Sequence, residues 1–274
     1  MRKRRFTRCT AMAKVANMNT HPAPTSAQPA SHAAQAGWQP SARQPRRSVR
    51  VLLIPGLRDS GPAHWQTWLQ GQYVDAVRVQ QRDWHRPDLE AWSARIEETL
   101  SRHSRHTQWV AVAHSFGTLA LAHHIATRQM AHADSSAHGD ATGVGLRHGR
   151  IVAALMVAPA DPVKFQLEEH LPRHRLDLPL SVIGSENDPW MPLERARDWA
   201  HAWGAGFRNL GQVGHINTES GFGPWPLARQ KVDELIRRQL RQEPCLCALG
   251  EGIARADMAN VANQAIATSR SCPA

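Results

Sequence analysis

Trp109-Val110-Ala111-Val112-Ala113-His114-Ser115-Phe116-Gly117-Thr118-Leu119-Ala120 decides the fold. An apolar, β-favouring run ends at a serine, and good helix formers begin directly after it. Small residues stand two positions either side of Ser115: Ala113 before it and Gly117 after it. That pattern suits a sharp strand-to-helix turn, a nucleophile elbow, which lifts a serine hydroxyl above the end of a sheet. The turn strains the serine backbone, so bulky neighbours two residues away would collide with it. Glycine is usual at both positions, and Ala113 departs from that. A serine at such a junction also serves as a helix N-cap, so the rest of the chain has to decide between the two roles.

The flanking sequence repeats the strand–helix theme. Arg50 to Gly56 is a short apolar run ending in a Pro-Gly turn, as expected of a strand buried on both faces. A helix is predicted from Pro62 to Leu69, with Trp65, Trp68 and Leu69 on one face, and a second strand from Ala76 to Gln81. Asp88 caps a helix whose apolar positions Leu89, Trp92, Ile96 and Leu100 fall at helical spacing. The helix after Ser115 is expected to reach about Met130, and the small, polar residues 132–149 read as a surface insertion. Further strands are predicted at Ile151–Ala158, Leu180–Ile183 and Phe207–Leu210, with helices at about 193–203 and 227–242. Strands that are mostly apolar, alternating with helices, indicate a parallel sheet covered on both faces. The expected architecture is one doubly wound α/β domain over residues 49–242, with about six mostly parallel strands.

Charge is unevenly placed. The 274 residues carry a formal net charge of +10, but residues 1–50 hold ten Lys and Arg and no acid, which leaves 23 of each sign in residues 51–274. A nucleic-acid-binding domain should carry its basic excess on the folded face, so nucleic acid is not an expected partner. Residues 1–48 read as a disordered basic leader. The segment behind its MRKRRF start is broken by Lys14 and two asparagines, which argues against an export signal. No run is long and apolar enough for a membrane span. The four cysteines (Cys9, Cys245, Cys247, Cys272) all lie outside the central body, so no disulfide framework supports it and a cytoplasmic location is expected. Residues 243–274 read as a mobile tail.

Ligands of an open parallel sheet gather at the carboxyl ends of its strands. Ser115, Asp188 and His215 all sit at such ends, in the chain order of the α/β-hydrolases. A serine hydroxyl needs a neutral imidazole to take its proton, and the imidazole needs an acid to set its tautomer. Glu186 and Asp161 are alternatives to Asp188, which is favoured by its place at a late strand end. The amides of Phe116 and Leu57 are candidate donors to the developing oxyanion. His64, Trp65, Trp190 and Ile216 are candidate pocket residues, although His64 and His85 are exposed by default. Most of the ten tryptophans, Trp92, Trp199 and Trp203 among them, read as packing residues.

Six segments carry a family resemblance: Ile54-Pro55-Gly56-Leu57, Gly61 to Gln66, Ala113 to Gly117, Val157 to Asp161, Ser185 to Pro189 and Gly214 to Asn217. Together they resemble the retinoblastoma-binding-protein-9-like (YdeN-like) family of small serine hydrolases over about residues 50–240. The resemblance implies an α/β-hydrolase fold without a large lid and a Ser115–Asp188–His215 triad. It also implies hydrolysis of small ester, amide or short peptide substrates with no metal and no cofactor. A monomer is expected. The alternative is a protein-binding module that keeps the fold and a vestigial triad.

Overall fold

In the computed structural model, residues 48–137 and 149–241 are described. The expectations for the basic leader, the C-terminal tail and most of the 132–149 insertion lie outside the described residues. Six strands run in the order β1 (Val49–Ile54), β2 (Val77–Arg78), β3 (Gln108–Ser115), β4 (Arg150–Pro159), β5 (Leu180–Gly184) and β6 (Gly206–Asn209). They form one sheet ordered β2-β1-β3-β4-β5-β6, and every pairing is parallel.

Five α-helices cover the sheet. Helices α2 (Leu89–Ser101), α3 (Phe116–Ala137) and α4 (Leu193–Ala202) lie on one face, and α1 (Trp65–Gln70) and α5 (Pro226–Arg241) on the other. The alternation of β3 shows why its middle, Trp109 to Ala113, is apolar throughout. Trp109, Ala111 and Ala113 join the first core, and Val110 and Val112 join the second. Both faces are dry from Trp109 to Ala113, so no polar position is left along that stretch. Asp88 caps α2 by accepting from Ala91 N–H at 3.0 Å, and Leu89, Trp92, Ile96 and Leu100 are all buried. Burying each large side chain of this kind contributes about 1.5–3 kcal/mol relative to leaving it exposed. Trp92, Trp199 and Trp203 are core residues, as their spacing predicts.

Three boundaries differ from the sequence reading by three residues or more. Helix α1 begins at Trp65 rather than Pro62, because His64 takes the N-cap position. Strand β2 shrinks to two residues at the sheet edge, where it has a single neighbour. Helix α3 continues to Ala137, so the first part of the expected insertion is helical.

From β1 the chain moves outward to β2, then returns across β1 to β3 and proceeds to the other edge. The two directions part between β1 and β3. A doubly wound sheet opens its ligand crevice at such a point, above the carboxyl ends of the strands. The Leu57 turn after β1 and Ser115 at the end of β3 flank that crevice.

Candidate active site

The β3–α3 junction is built by close approach. Ser115 adopts φ 53°, in the left-handed region where side chains are strained. A Cβ on Gly117 would lie 2.4 Å from Pro55 O and 2.5 Å from Ile54 O. A Cβ on Gly56 would lie 2.7 Å from Ser115 Cβ. Glycine is therefore obligatory on both sides of the contact between β1 and the elbow. Ala113 is fully buried in the first core and fits without displacing the turn, which explains why the motif survives alanine there.

His215 lies above this junction, in the loop after β6. Its Nε2 is 2.9 Å from Ser115 Oγ, and its Nδ1 is 2.9 Å from each carboxylate oxygen of Asp188. The His215 and Asp188 side chains are 9% and 2% exposed. Asp188 Oδ1 also accepts from Trp190 N–H at 2.8 Å, which fixes the carboxylate. The two other acids considered for this role are engaged elsewhere. Asp161 is buried, paired with Arg195 at 3.0 Å and bonded to Val163 N–H. Glu186 accepts from Asn209 Nδ2 at 2.8 Å.

Side chains from distant parts of the chain hold the histidine loop in place. His114 Nε2–H donates to His215 O at 3.0 Å, and Trp65 Nε1–H donates to Ile216 O at 2.8 Å. Ser220 Oγ accepts from His215 N–H at 3.0 Å, and Asn187 Oδ1 accepts from Gly214 N–H at 2.7 Å. Burial, with His215 and His64 adding to it, pushes His114 well below the usual histidine range and keeps the ring neutral. Arg58, Asp59, Ser115 and Ile216 all have positive φ. Backbone of this kind costs about 1–3 kcal/mol per residue and persists where the surroundings over-determine it. All four lie in the turns that converge on the serine.

A cleft of about 280 Å³ opens over Ser115. Leu57 and Arg58 line it from the β1 turn, His64 from the start of α1, Phe165 from the β4–β5 connection, and Trp190 and Thr218 from the later loops. Leu57 N–H follows the Gly56 contact with Ser115, and the next two amides are committed to Trp84 O and Gly56 O. Phe116 N–H opens α3 directly after the serine. Leu57 and Ser115 line the same cleft, and Phe116 is the residue directly after the serine.

Two pocket expectations require correction. Trp65 and Ile216 are fully buried in the second core and do not line the cleft. Their contribution is the hydrogen bond between them, which anchors the histidine loop from below. His64, expected to be exposed by default, is 5% exposed; His85 is exposed. Trp190 is 45% exposed, with its ring 6.2 Å from that of His215.

Sequence reasoning missed Phe165, Ser220 and the structural use of His114 and Gln66. Buried Gln66 accepts from Ser60 Oγ and donates to Ile54 O and Val112 O, pinning α1 to the ends of β1 and β3. The available signal was a polar residue inside an apolar stretch, at His114 in β3 and at Gln66 between Trp65 and Trp68.

Among the described residues, no group of three or more His, Cys, Asp or Glu is placed to hold a metal ion. No helix among them is long and apolar enough to cross a membrane.

Comparison with known proteins places this geometry in context. A YdeN-like hydrolase structure from Pectobacterium atrosepticum is 32% identical, with TM-score 0.57, over 69% of this chain and 90% of that one. The ydeN gene product of B. subtilis shares the fold at 19% identity and TM-score 0.53, over 69% of this chain and 100% of that one. Est1E of Butyrivibrio proteoclasticus, bound to ferulic acid, shares it at 12% identity and TM-score 0.51, over 73% and 93% of the two chains. No curated protein matches the chain. The family model described as serine hydrolase matches residues 51–234, from the first buried residue of β1 into α5. By that match and by the Pectobacterium relative, the chain is a member of the serine hydrolase family, on an α/β-hydrolase fold.

Proposed function

We propose that the protein hydrolyses small esters, amides or short peptides through an acyl-enzyme on Ser115. The observation that carries this reading is the 2.9 Å approach of His215 Nε2 to Ser115 Oγ, with Asp188 on the opposite ring nitrogen. With Nδ1–H donating to the carboxylate, Nε2 is left as an acceptor for the serine proton. Ser115 Oγ attacks the substrate carbonyl while His215 takes that proton. The tetrahedral oxyanion accepts from Leu57 N–H and Phe116 N–H. Collapse expels the alcohol or amine, which receives the proton from His215. Water then attacks the Ser115 ester with the same imidazole as base, releasing the acid. No step calls on a metal or a cofactor.

The size of the cleft supports small substrates. At about 280 Å³ it falls near the lower end of ligand pockets, which hold roughly 300–1,000 Å³.

A fluorophosphonate probe tests the reading. The wild type is expected to be labelled and Ser115→Ala to be silent. With short-chain p-nitrophenyl esters, Ser115→Ala is expected to lower kcat by about 10⁶, the scale on which a serine nucleophile's removal is felt. A folded wild type that neither reacts with the probe nor turns over esters would overturn the proposal in favour of a binding module.

A further inference from the structure

His64 lines the same cleft as Ser115 and His215 while remaining 5% exposed. Its ring lies 4.9 Å from that of His114, which lies 5.0 Å from that of His215. Its Nδ1 accepts from Gln66 N–H at 3.1 Å, capping α1. A nitrogen that accepts carries no proton, so the hydrogen of the neutral ring sits on Nε2. Burial, then Arg78, then His215 lower its pKa to about 4, so this tautomer persists near neutral pH.

Nε2 has no hydrogen-bond partner within the described residues, yet it is not sealed in the interior. The buried, unpartnered side-chain atoms among those residues belong to Gln81, Trp109, Arg195 and Gln239. The Nε2–H group therefore opens into the cleft as a fixed, uncharged donor.

In the empty cleft water can satisfy this donor. A bound substrate displaces that water, and an alkyl group put in its place would leave the N–H unpaired. In the proposed mechanism the carbonyl oxygen goes to Leu57 and Phe116, and the leaving group goes to His215. What remains for His64 is the acyl chain. We infer that His64 Nε2–H donates a hydrogen bond to the substrate's acyl part, so that the site favours acyl groups bearing an uncharged oxygen near the scissile carbonyl over plain alkyl chains. An ether, hydroxyl or keto oxygen would serve. This inference rests on the hydrolase reading above.

The test compares p-nitrophenyl methoxyacetate with p-nitrophenyl butyrate, which are nearly isosteric and differ by one ether oxygen. Each kcat/KM is divided by the ester's hydroxide-catalysed rate constant to remove intrinsic reactivity. The corrected ratio is expected to favour methoxyacetate by about fivefold in the wild type, the scale of one neutral hydrogen bond. Two variants separate the two ring nitrogens. His64→Asn keeps an acceptor near Nδ1 for the cap and withdraws the donor at Nε2; the preference should vanish with thermal stability near wild type. His64→Gln places an amide N–H near Nε2 and gives up the cap; the preference should persist with a lowered unfolding temperature. A purely structural His64 predicts the reverse pattern.

A ratio unchanged in His64→Asn, equal loss in both variants, or no preference in the wild type would overturn the inference while leaving the hydrolase reading intact. Should His64→Gln fail to fold, His64→Asn decides alone. A wild type that turns over neither ester and takes no fluorophosphonate on Ser115 would overturn both.

Discussion

The proposed nucleophile and the proposed base of this site are held by different physics. Ser115 is positioned by contact: β1 and the elbow approach so closely that Gly56 and Gly117 leave no room for a Cβ. His215 is positioned by directional bonds, from His114 and Trp65 beneath it and from Ser220 and Asn187 beside it. The first arrangement is steep and unforgiving, because backbone atoms have nowhere to move. The second is distributed, so each bond can be lost separately and its share measured.

That contrast orders the expected effects. Gly117→Ala should be the most damaging, since its Cβ would fall within 2.5 Å of two carbonyl oxygens at the end of β1. Overpacking commonly costs about 1–3 kcal/mol and more against rigid backbone. The expected outcome is a loss of at least about 3 kcal/mol in urea unfolding, together with loss of Ser115 labelling. A near-wild-type Gly117→Ala would break the claim that contact fixes the nucleophile.

Acid probes the base side. His64, held at about 4 by burial, Arg78 and His215, stays neutral when folded, whereas the unfolded chain protonates it near 6.5. Between those values the unfolded state binds more protons, so stability is complete above about pH 6.5 and falls as pH drops toward 4. The contribution at stake is about 3 kcal/mol. His124, buried beside Arg128 and His123 and also held at about 4, adds a loss of the same sign under α3. Urea unfolding at pH 7, 5.5 and 4 measures the sum. His64→Asn should flatten part of the slope, and an unchanged slope would refute the neutral assignment.

Trp65→Phe keeps most of the packing but leaves Ile216 O without its buried donor, at a cost of about 1–3 kcal/mol. Because that bond anchors the loop carrying the base, kcat for ester turnover should fall by about tenfold. The smallest expected effect is Ser220→Ala, which removes one acceptor from His215 N–H. Stability should change by about 1 kcal/mol and kcat by only a few-fold, as Asn187 still holds Gly214. If Ser220→Ala proved as damaging as Gly117→Ala, the base would be held as rigidly as the nucleophile and the contrast would fail.

The same contrast explains what could be read without coordinates. The elbow was legible because steric demands are local: a small residue on each side of Ser115 records a contact made two residues away. The sheet was legible because both of its faces are dry, which writes an apolar run of four or more residues into each of β1, β3 and β4. The proposed acid, Asp188, was legible by its place at a late strand end, although Glu186 and Asp161 remained alternatives until their partners, Asn209 and Arg195, were seen. Trp65 and Ile216 were misread as pocket walls because nothing local distinguishes a tryptophan that faces a cleft from one that supports a loop 151 positions away.

By itself, then, the sequence determined the strand–helix rhythm, the strained serine and the chain order of serine, acid and histidine. These are properties of short segments with fixed periodicity and steric requirements. Tertiary structure alone decided which side chains tie the histidine loop to the sheet and which nitrogen of His64 caps α1. It also decided that two of the expected pocket residues are core. Hydrogen-bond partners and side-chain burial depend on what folding brings together across the sheet, and residues 100 or more positions apart carry no local record of that meeting.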